Sequence, residues 1–300
     1  MRISLRQLQI FLAIAKSGST AAAADLVALS QSAASAALNE LESLLETKLF
    51  DRVGKRLLLN DNGRLLLPQA RQMLDAATTI ERQFNAPDDT TGAGLRIGAS
   101  TTIGIYLLPA ILAAISPQKT TMHPRVTIAN TADIAAAVEN FDIDMGLVEG
   151  PCHQPALKVE PWIKDELVIV SAPDHPLLEG KANRRINIKT LGDAGWLLRE
   201  AGSGTRESVE HALAPHLHAL HAIGEFSNAE AIKHAAAEGL GLACLPRLVV
   251  RDFLDTGRLV QLQTTLPPLS RHFYLIHNRH KILSARLTHF LQSCRGWKLG

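Results

Sequence analysis

Residues 19–59 constrain this chain more than any other stretch. Ser19 is placed to cap a short helix over Ala21–Val27, and Ser30 to cap a longer one from about Gln31 to Leu45. A serine hydroxyl at such a position satisfies backbone N–H groups that the first helical turn leaves open. Leu38, Leu41, Leu44 and Leu45 give the second helix one apolar stripe, while Gln31, Ser32, Ser35 and Asn39 lie on its other side. Ala33, Ala34, Ala36 and Ala37 keep its profile slim enough for a DNA major groove. Two helices joined by a tight turn, the second polar and slender at its start, make a helix-turn-helix. Basic residues follow: Lys48, Arg52, Lys55, Arg56 and Arg64 face only Asp51 and Asp61. Two short strands, Lys48–Arg52 and Arg56–Leu59, predict a wing whose cations meet phosphates beside the groove.

The flanking segments read as supports. Leu5, Leu8, Phe11, Leu12 and Ala15 predict a bracing helix over residues 5–17. Asn60 is placed to cap a long helix reaching about Phe84, with Leu66, Ala70, Met73, Ala77, Ile80 and Phe84 stepping by threes and fours. That seam suits a partner helix from a second copy, although packing on the same chain would use the same pattern. Pro68 starts the regular part or kinks it. Asn85–Gly94 is a linker by composition. Beyond it, strand-like and helix-like runs alternate, which predicts a parallel sheet with helices on its faces. The expected strands are Leu95–Ala99, Arg125–Ala129, Asp144–Val148, Glu166–Ser171, Trp196–Arg199, Ile223–Phe226, Gly241–Leu245 and Arg271–His277. Two rounds of this pattern imply two α/β lobes with a cleft between them.

Bulk properties narrow the classes. A hydrophobic content of 46% suffices for packed cores, and a net charge of +2 excludes a polycation, so nucleic-acid affinity must come from the local wing patch. Cys152, Cys244 and Cys294 lack metal-ligand spacing and suggest a reducing compartment. The first residues form no signal peptide, and no run approaches the ~18–20 apolar residues of a membrane span. A cytoplasmic protein without membrane partners is expected.

The amino-terminal residues carry a family resemblance. Leu8, Phe11, Ala15, Gly18-Ser19, Ala23-Ala24, Ser30-Gln31-Ser32-Ala33, Ser35, Leu38, Leu41-Glu42, Leu49-Phe50-Asp51-Arg52 and Gly63 resemble the signature of LysR-type transcriptional regulators. Thr20, Ser32 and Ala36 depart from it, standing where an aromatic, a proline and a cation are common. Phe141–Leu147, Asp174–Leu177, Glu238–Pro246 and Arg271–His277 are similar to the effector domain of that family, itself similar to periplasmic binding proteins. The resemblance implies a winged helix-turn-helix domain over 1–59, a linker helix and hinge over 60–94, and an effector-binding domain over 95–300. Lobe I would span about 95–163 and 268–300, and lobe II about 164–267, with crossings near Trp162–Glu166 and Leu266–Ser270. The implied partners are double-stranded promoter DNA, a small anionic effector, RNA polymerase, and further copies in a homodimer or homotetramer. No cofactor is implied. Gln31, Ser32, Ser35 and Asn39 would read base edges, and Arg52, Lys55 and Arg56 would hold phosphates.

In open α/β sheets, ligands sit at the carboxyl ends of strands. Four such ends supply candidate effector residues: Ser100, Thr101 and Thr102; Glu149, Gly150 and Cys152; Gly202, Ser203, Gly204, Thr205 and Arg206; and Asn228. The first and third set small hydroxyl residues at a helix start, where open N–H groups and the helix dipole favour an anion. Arg206 adds a cation if it points inward. Ordinary helix capping uses the same residues. Glu149–His153, Gly202–Glu207 and Asn228–His234 resemble the sulfite-responsive, YeiE-like branch of the family. That resemblance implies a small sulfur oxyanion as effector and a role in sulfur metabolism.

Cys152 beside His153 is either a plain loop cysteine or a thiol whose pKa an adjacent imidazolium lowers. Cys244 reads as inert core. His211, His216, His218 and His221 form a dense run, but Pro215 interrupts it and the spacing suits a solvated face better than zinc. Gly239–Gly241 lacks the third glycine of a dinucleotide fingerprint, and Gly202-Ser203-Gly204 is no nucleophile elbow. An enzyme is therefore not expected. The rival is a solute-binding receptor or small-molecule enzyme built on the α/β half.

Overall fold

The computed structural model describes residues 3–54, 56–84, 94–115, 124–150, 152–178, 185–214 and 220–298. The chain divides into two compact units, residues 1–92 with 280–282 and residues 93–279 with 283–300. The linker, residues 85–93, lies outside the described residues, as do Lys55, Pro215, His216 and His218.

The first unit opens with α1 (Leu5–Ser17), where Ser4 and Gln7 cap one another's backbone N–H. This reciprocal box satisfies two donors that the helix cannot. The buried face of α1 is Leu8, Ile10, Phe11 and Ile14; Leu5 is exposed, so the face is rotated from the expected one. Then come α2 (Thr20–Leu26) and α3 (Gln31–Leu44), set at 106° to each other. That angle is within the helix-turn-helix range. Ser30 caps α3 by accepting from Ala33 N at 3.2 Å, whereas Ser19 precedes α2 without a side-chain capping bond. The wing pairs β1 (Phe50–Val53) antiparallel with β2 (Arg56–Leu59). Its first strand begins later than expected because Leu49 is buried in the core and Lys48 is tied to Glu42. Phe11 and Phe50 close that core with ring centroids 5.5 Å apart.

The long helix α4 (Asp61–Phe84) is capped by Asn60, which accepts from Gly63 N at 3.0 Å, and it runs through Pro68 without ending. The expected seam is divided. Leu66 and Ala70 pack into their own head, while Met73 and Ile80 are exposed together with Leu65. Leu65, not Leu66, therefore extends the open apolar stripe.

The second unit is built on one nine-stranded sheet of order β4-β3-β5-β11-β6-β9-β7-β8, with β10 pairing β6. Lobe I carries β3 (Arg96–Ser100), α5 (Thr101–Tyr106), α6 (Leu108–Ile115), β4 (Arg125–Ala129), α7 (Thr131–Glu139) and β5 (Met145–Glu149). α5 is capped at Leu107, so Pro109 falls in the first turn of α6, where its missing N–H costs nothing. The chain then crosses on β6 (Leu157–Ser171) into lobe II. Lobe II carries α8 (Ile188–Gly192), β7 (Gly195–Arg199), α9 (Gly204–Leu213), β8 (His221–Phe226), α10 (Ala229–Ala237), β9 (Leu242–Pro246), α11 (Arg247–Asp255) and β10 (Val260–Gln261). It returns on β11 (Leu269–Asn278) and closes with α12 (Ala285–Gly296).

The outer strands of both lobes are parallel, as expected, but the centre is not. β6 and β11 run antiparallel from Leu157↔Asn278 to Leu167↔Leu269, with a register shift between His272 and Tyr274. The sheet is therefore mixed. Each crossing strand belongs to both lobes, which forces the two to run in opposite directions at the seam. Helices cover both faces, and each lobe buries an aliphatic core on each side of its sheet.

Phe11→Ala removes a fully buried ring from the small head core. The loss should be about 3–5 kcal/mol, read as an earlier urea transition of the head by far-UV circular dichroism.

Candidate functional site

On the head, α3 turns Ala34, Leu38 and Leu41 inward and leaves Gln31, Ser32 and Asn39 exposed, with Ser35 half-buried. The exposed Ala33 and Ala36 keep that face narrow. Ser32 Oγ lies 3.0 Å from Ser30 Oγ, so its hydroxyl is shared with the cap. The wing's cations separate into two kinds. Lys48 is bound to Glu42 at 2.6 Å and Arg64 to Asp61. Arg52 and Arg56 are exposed and form no ion pair among the described residues. They are the two described wing cations available to a phosphate.

In the second unit, the expected strand ends meet around one buried carboxylate. Glu149, at the end of β5, is 2% exposed. Its Oε1 accepts from Thr102 N at 2.8 Å, at the start of α5. Its Oε2 accepts from Thr205 Oγ1 at 2.6 Å, at the start of α9 in lobe II. The same oxygen lies 2.9 Å from Arg271 Nη1 on β11. Arg271 also donates from Nη1 to Thr205 Oγ1 and from Nε to Asp165 Oδ2 on β6, both at 2.8 Å. Lobe I, lobe II and both crossing strands thus share one hydrogen-bonded cluster. Thr131 Oγ1 holds the Glu149 carbonyl at 2.9 Å.

The lobes touch closely here. Ala132 N donates to the Gly202 carbonyl at 3.1 Å. A Cβ on Gly204 would lie 1.6 Å from the Glu149 carbonyl oxygen, so only glycine allows α9 to start there.

Burial alone would push the Glu149 carboxyl up, but the Arg271 guanidinium and the Thr205, Ser100 and Thr102 donors outweigh it and hold the group below its ordinary value. Asp165 goes the other way: burial dominates, and the neighbouring Glu149 adds to it against the pull of Arg271. Two donors of the cluster have no hydrogen-bond partner among the described residues, Thr102 Oγ1 and Arg271 Nη2, both buried; the buried Ser100 hydroxyl faces the Glu149 carboxylate. A buried donor left unsatisfied costs about 1–3 kcal/mol.

The other expected residues fall around this cluster with mixed roles. Thr101, Gly150, Ser203 and Gly204 are buried beside it. Ser203 caps α9, accepting from Arg206 N at 3.4 Å. Gly202 is exposed with φ +83°, and Asn228 is exposed and caps α10. Arg206 does not supply the cation: its guanidinium is taken by Glu210, Glu225 and the Arg199 carbonyl. Arg271 supplies it instead. The signal was an arginine at the head of the apolar run Arg271–His277, which as sequence reads equally well as a strand's solvent face.

Cys152 is half-buried and bonded to Gln154, and burial pushes its thiol up. His153 is engaged with Glu207 at 3.1 Å, so an activated thiol is not what this loop builds. Burial pushes Cys244 up to about 12, in keeping with inert core. Among the described residues, no group of three or more His, Cys, Asp or Glu is placed to hold a metal, and no single helix is long and apolar enough to cross a membrane. A cavity of about 310 Å³ lies elsewhere, between β6 and the return segment 261–269; its charged walls, Glu166 and Arg185, are both exposed.

Comparison with known proteins agrees with this division. The model of the "bacterial regulatory helix-turn-helix protein, lysR family" matches residues 5–64, and that of the "LysR substrate binding domain" matches residues 89–298. The uncharacterized HTH-type transcriptional regulator YeiE of Escherichia coli (strain K12) is 46% identical over 294 residues, covering 98% of each chain. ArgP from Mycobacterium tuberculosis is similar in structure, with a TM-score of 0.73 at 18% identity over 98% of each chain. The regulatory domain of CcmR from Synechocystis PCC6803, in complex with 2-PG, gives a TM-score of 0.61 at 27% identity over 68% of this chain and 99% of that one.

Arg271→Leu tests the charge cluster. In the native protein, stability from Glu149 is present above its ordinary pKa of about 4.3 and is lost as pH falls through the lowered value. Without the guanidinium, burial acts on both carboxyls and raises them, so stability now falls as pH rises. The variant should be about 3–5 kcal/mol less stable near neutrality, with the gap narrowing toward pH 4 in urea titrations. A constant gap would assign the loss to packing.

Proposed function

The chain belongs to the LysR family of DNA-binding transcriptional regulators, and on that footing we propose that its activity is switched by a small sulfur oxyanion, such as sulfite, held at the Glu149 cluster. Membership sets aside the solute receptor and the enzyme: one chain matches the family over both the helix-turn-helix and the effector domain. The observation that carries the effector reading is the pair of buried, unpartnered donors beside Glu149, Thr102 Oγ1 and Arg271 Nη2. A compact oxyanion offers several acceptors at once and would relieve them. The resemblance of Glu149–His153, Gly202–Glu207 and Asn228–His234 to the sulfite-responsive branch supports sulfur as its centre.

Glu149 also shapes the choice. An ionised carboxylate inside the site repels a fully ionised oxyanion and accepts from one that carries a proton. Hydrogen sulfite therefore suits the cluster better than sulfate dianion. Binding between strand ends of the two lobes would bias their closure, and the family's DNA-binding head would read that bias through α4. The exposed Leu65, Met73 and Ile80 suit pairing of α4 with a second copy, which would set two heads against two half-sites. RNA polymerase is the partner that such a regulator would meet at a promoter.

Two measurements test this. Ser100→Ala and Thr102→Val should each weaken sulfite binding about five- to tenfold, one hydrogen bond's worth, in calorimetry, while DNA affinity without ligand stays unchanged. Arg52→Ala should weaken binding to all DNA sequences alike and reduce the salt slope by about one, read by fluorescence anisotropy across salt concentrations. A change of base preference at constant slope would remove Arg52 from the phosphate contacts.

A further inference from the structure

A second link between the lobes leaves from the other end of α5. Tyr106, its last residue, donates from its hydroxyl to Glu230 Oε1 on α10 of lobe II. Glu230 Oε2 is 2.8 Å from Lys233 Nζ, which also approaches Asp252 Oδ2 on α11 at 3.2 Å and donates to the Tyr106 hydroxyl at 3.4 Å. Lys233 is 3% exposed, and its ammonium lies 4.7 Å from the centre of the Phe253 ring. Burial and the Glu230 carboxylate push the Tyr106 hydroxyl up, which keeps it a donor.

The composition of this cluster is lopsided. Glu230, Lys233, Asp252 and Phe253 all belong to lobe II. Among the described residues, lobe I contributes the Tyr106 side chain alone, whose ring packs against the lobe II apolar core and whose hydroxyl also reaches the Val249 carbonyl at 3.4 Å. Withdrawing it leaves Lys233 with both its carboxylates, so the contact can open without stranding a buried charge. Thr102 and Tyr106 stand four residues apart on a six-residue helix and so share one face. The Thr102 end is held by Glu149, and the Tyr106 end by Glu230. A displacement of Thr102 is carried by a single short helix to the lobe II contact.

We propose that Tyr106, Glu230 and Lys233 form an interlobe latch, coupled through α5 to the Thr102 end of the effector cluster, that sets how readily the lobes part. Its coupling to ligand rests on the effector reading above; the latch itself does not. Tyr106 and Glu230 are positioning residues and touch no ligand.

The test uses the full chain with Tyr106→Phe, Glu230→Ala and the double variant. Hydrogen exchange of the unliganded protein comes first. Tyr106→Phe should speed exchange in α5 and in residues 229–233 together, about five- to tenfold, the worth of one hydrogen bond, while β3 and β9 exchange as before. Unchanged exchange in those two helices overturns the latch. Calorimetry with sulfite comes second. Each single variant should bind about five- to tenfold more weakly, because the closed population falls, and the double variant no more weakly than either. Losses that multiply in the double variant, or affinities unchanged in all three, overturn the coupling. If sulfite does not bind the native chain, the effector reading fails, and the exchange result alone decides the latch.

Discussion

The Arg271 guanidinium is the interaction on which the rest of the effector unit depends. It sits on one crossing strand and binds a carboxylate on the other, Asp165, and a carboxylate at the end of a lobe I strand, Glu149. All three charges are buried. In a medium of low polarity none of them is tolerable alone, so each fixes the position of the others. The crossing strands pair along almost their whole length, and the register shift between His272 and Tyr274 falls beside this arginine. The place where the backbone departs from regular pairing is also where the charge is concentrated.

From that point the two lobes are tied by donors at helix starts. α5 brings a backbone N–H from lobe I to Glu149, and α9 brings a hydroxyl from lobe II. Both helices begin where a strand ends, which is why two unrelated segments converge on one carboxylate. Gly204 permits the close approach, and Thr131 holds the carbonyl against which it packs. The site is over-supplied with donors in consequence: the cluster satisfies its own carboxylates and still leaves Thr102 and Arg271 with capacity. The Tyr106 contact has the opposite character. One hydroxyl meets a group of charges already paired within lobe II, and the ring that carries it packs on that lobe's apolar core.

Local chemistry was legible along much of the chain. The Ser30 cap, the polar face of α3, the Asn60 cap of α4 and the small hydroxyl residues set at helix starts near Thr102 and Ser203 follow from residue type and period, which act within a few positions. Errors arose where a residue's role was set at a distance. Leu5 and Leu66 have apolar neighbours at helical spacing, yet which neighbour faces the core depends on how the helix is rotated against its partners. The expected parallel sheet failed at its centre because strand direction across a crossing is a property of the whole chain path. Arg206 was the visible cation near Gly202–Thr205, but Glu210 lies one turn on and Glu225 on the adjacent strand, and both draw it outward.

By itself the sequence determined that this chain is a DNA-reading head joined to a two-lobed α/β sensor. Helix caps, apolar periods and the family signature are short-range patterns, and each survives without knowledge of the fold. Only the tertiary structure decided which charges share a site. Glu149, Asp165, Thr205 and Arg271 are spread over more than a hundred residues of chain, and their chemistry exists only once two crossing strands bring Arg271 within 3 Å of the other three.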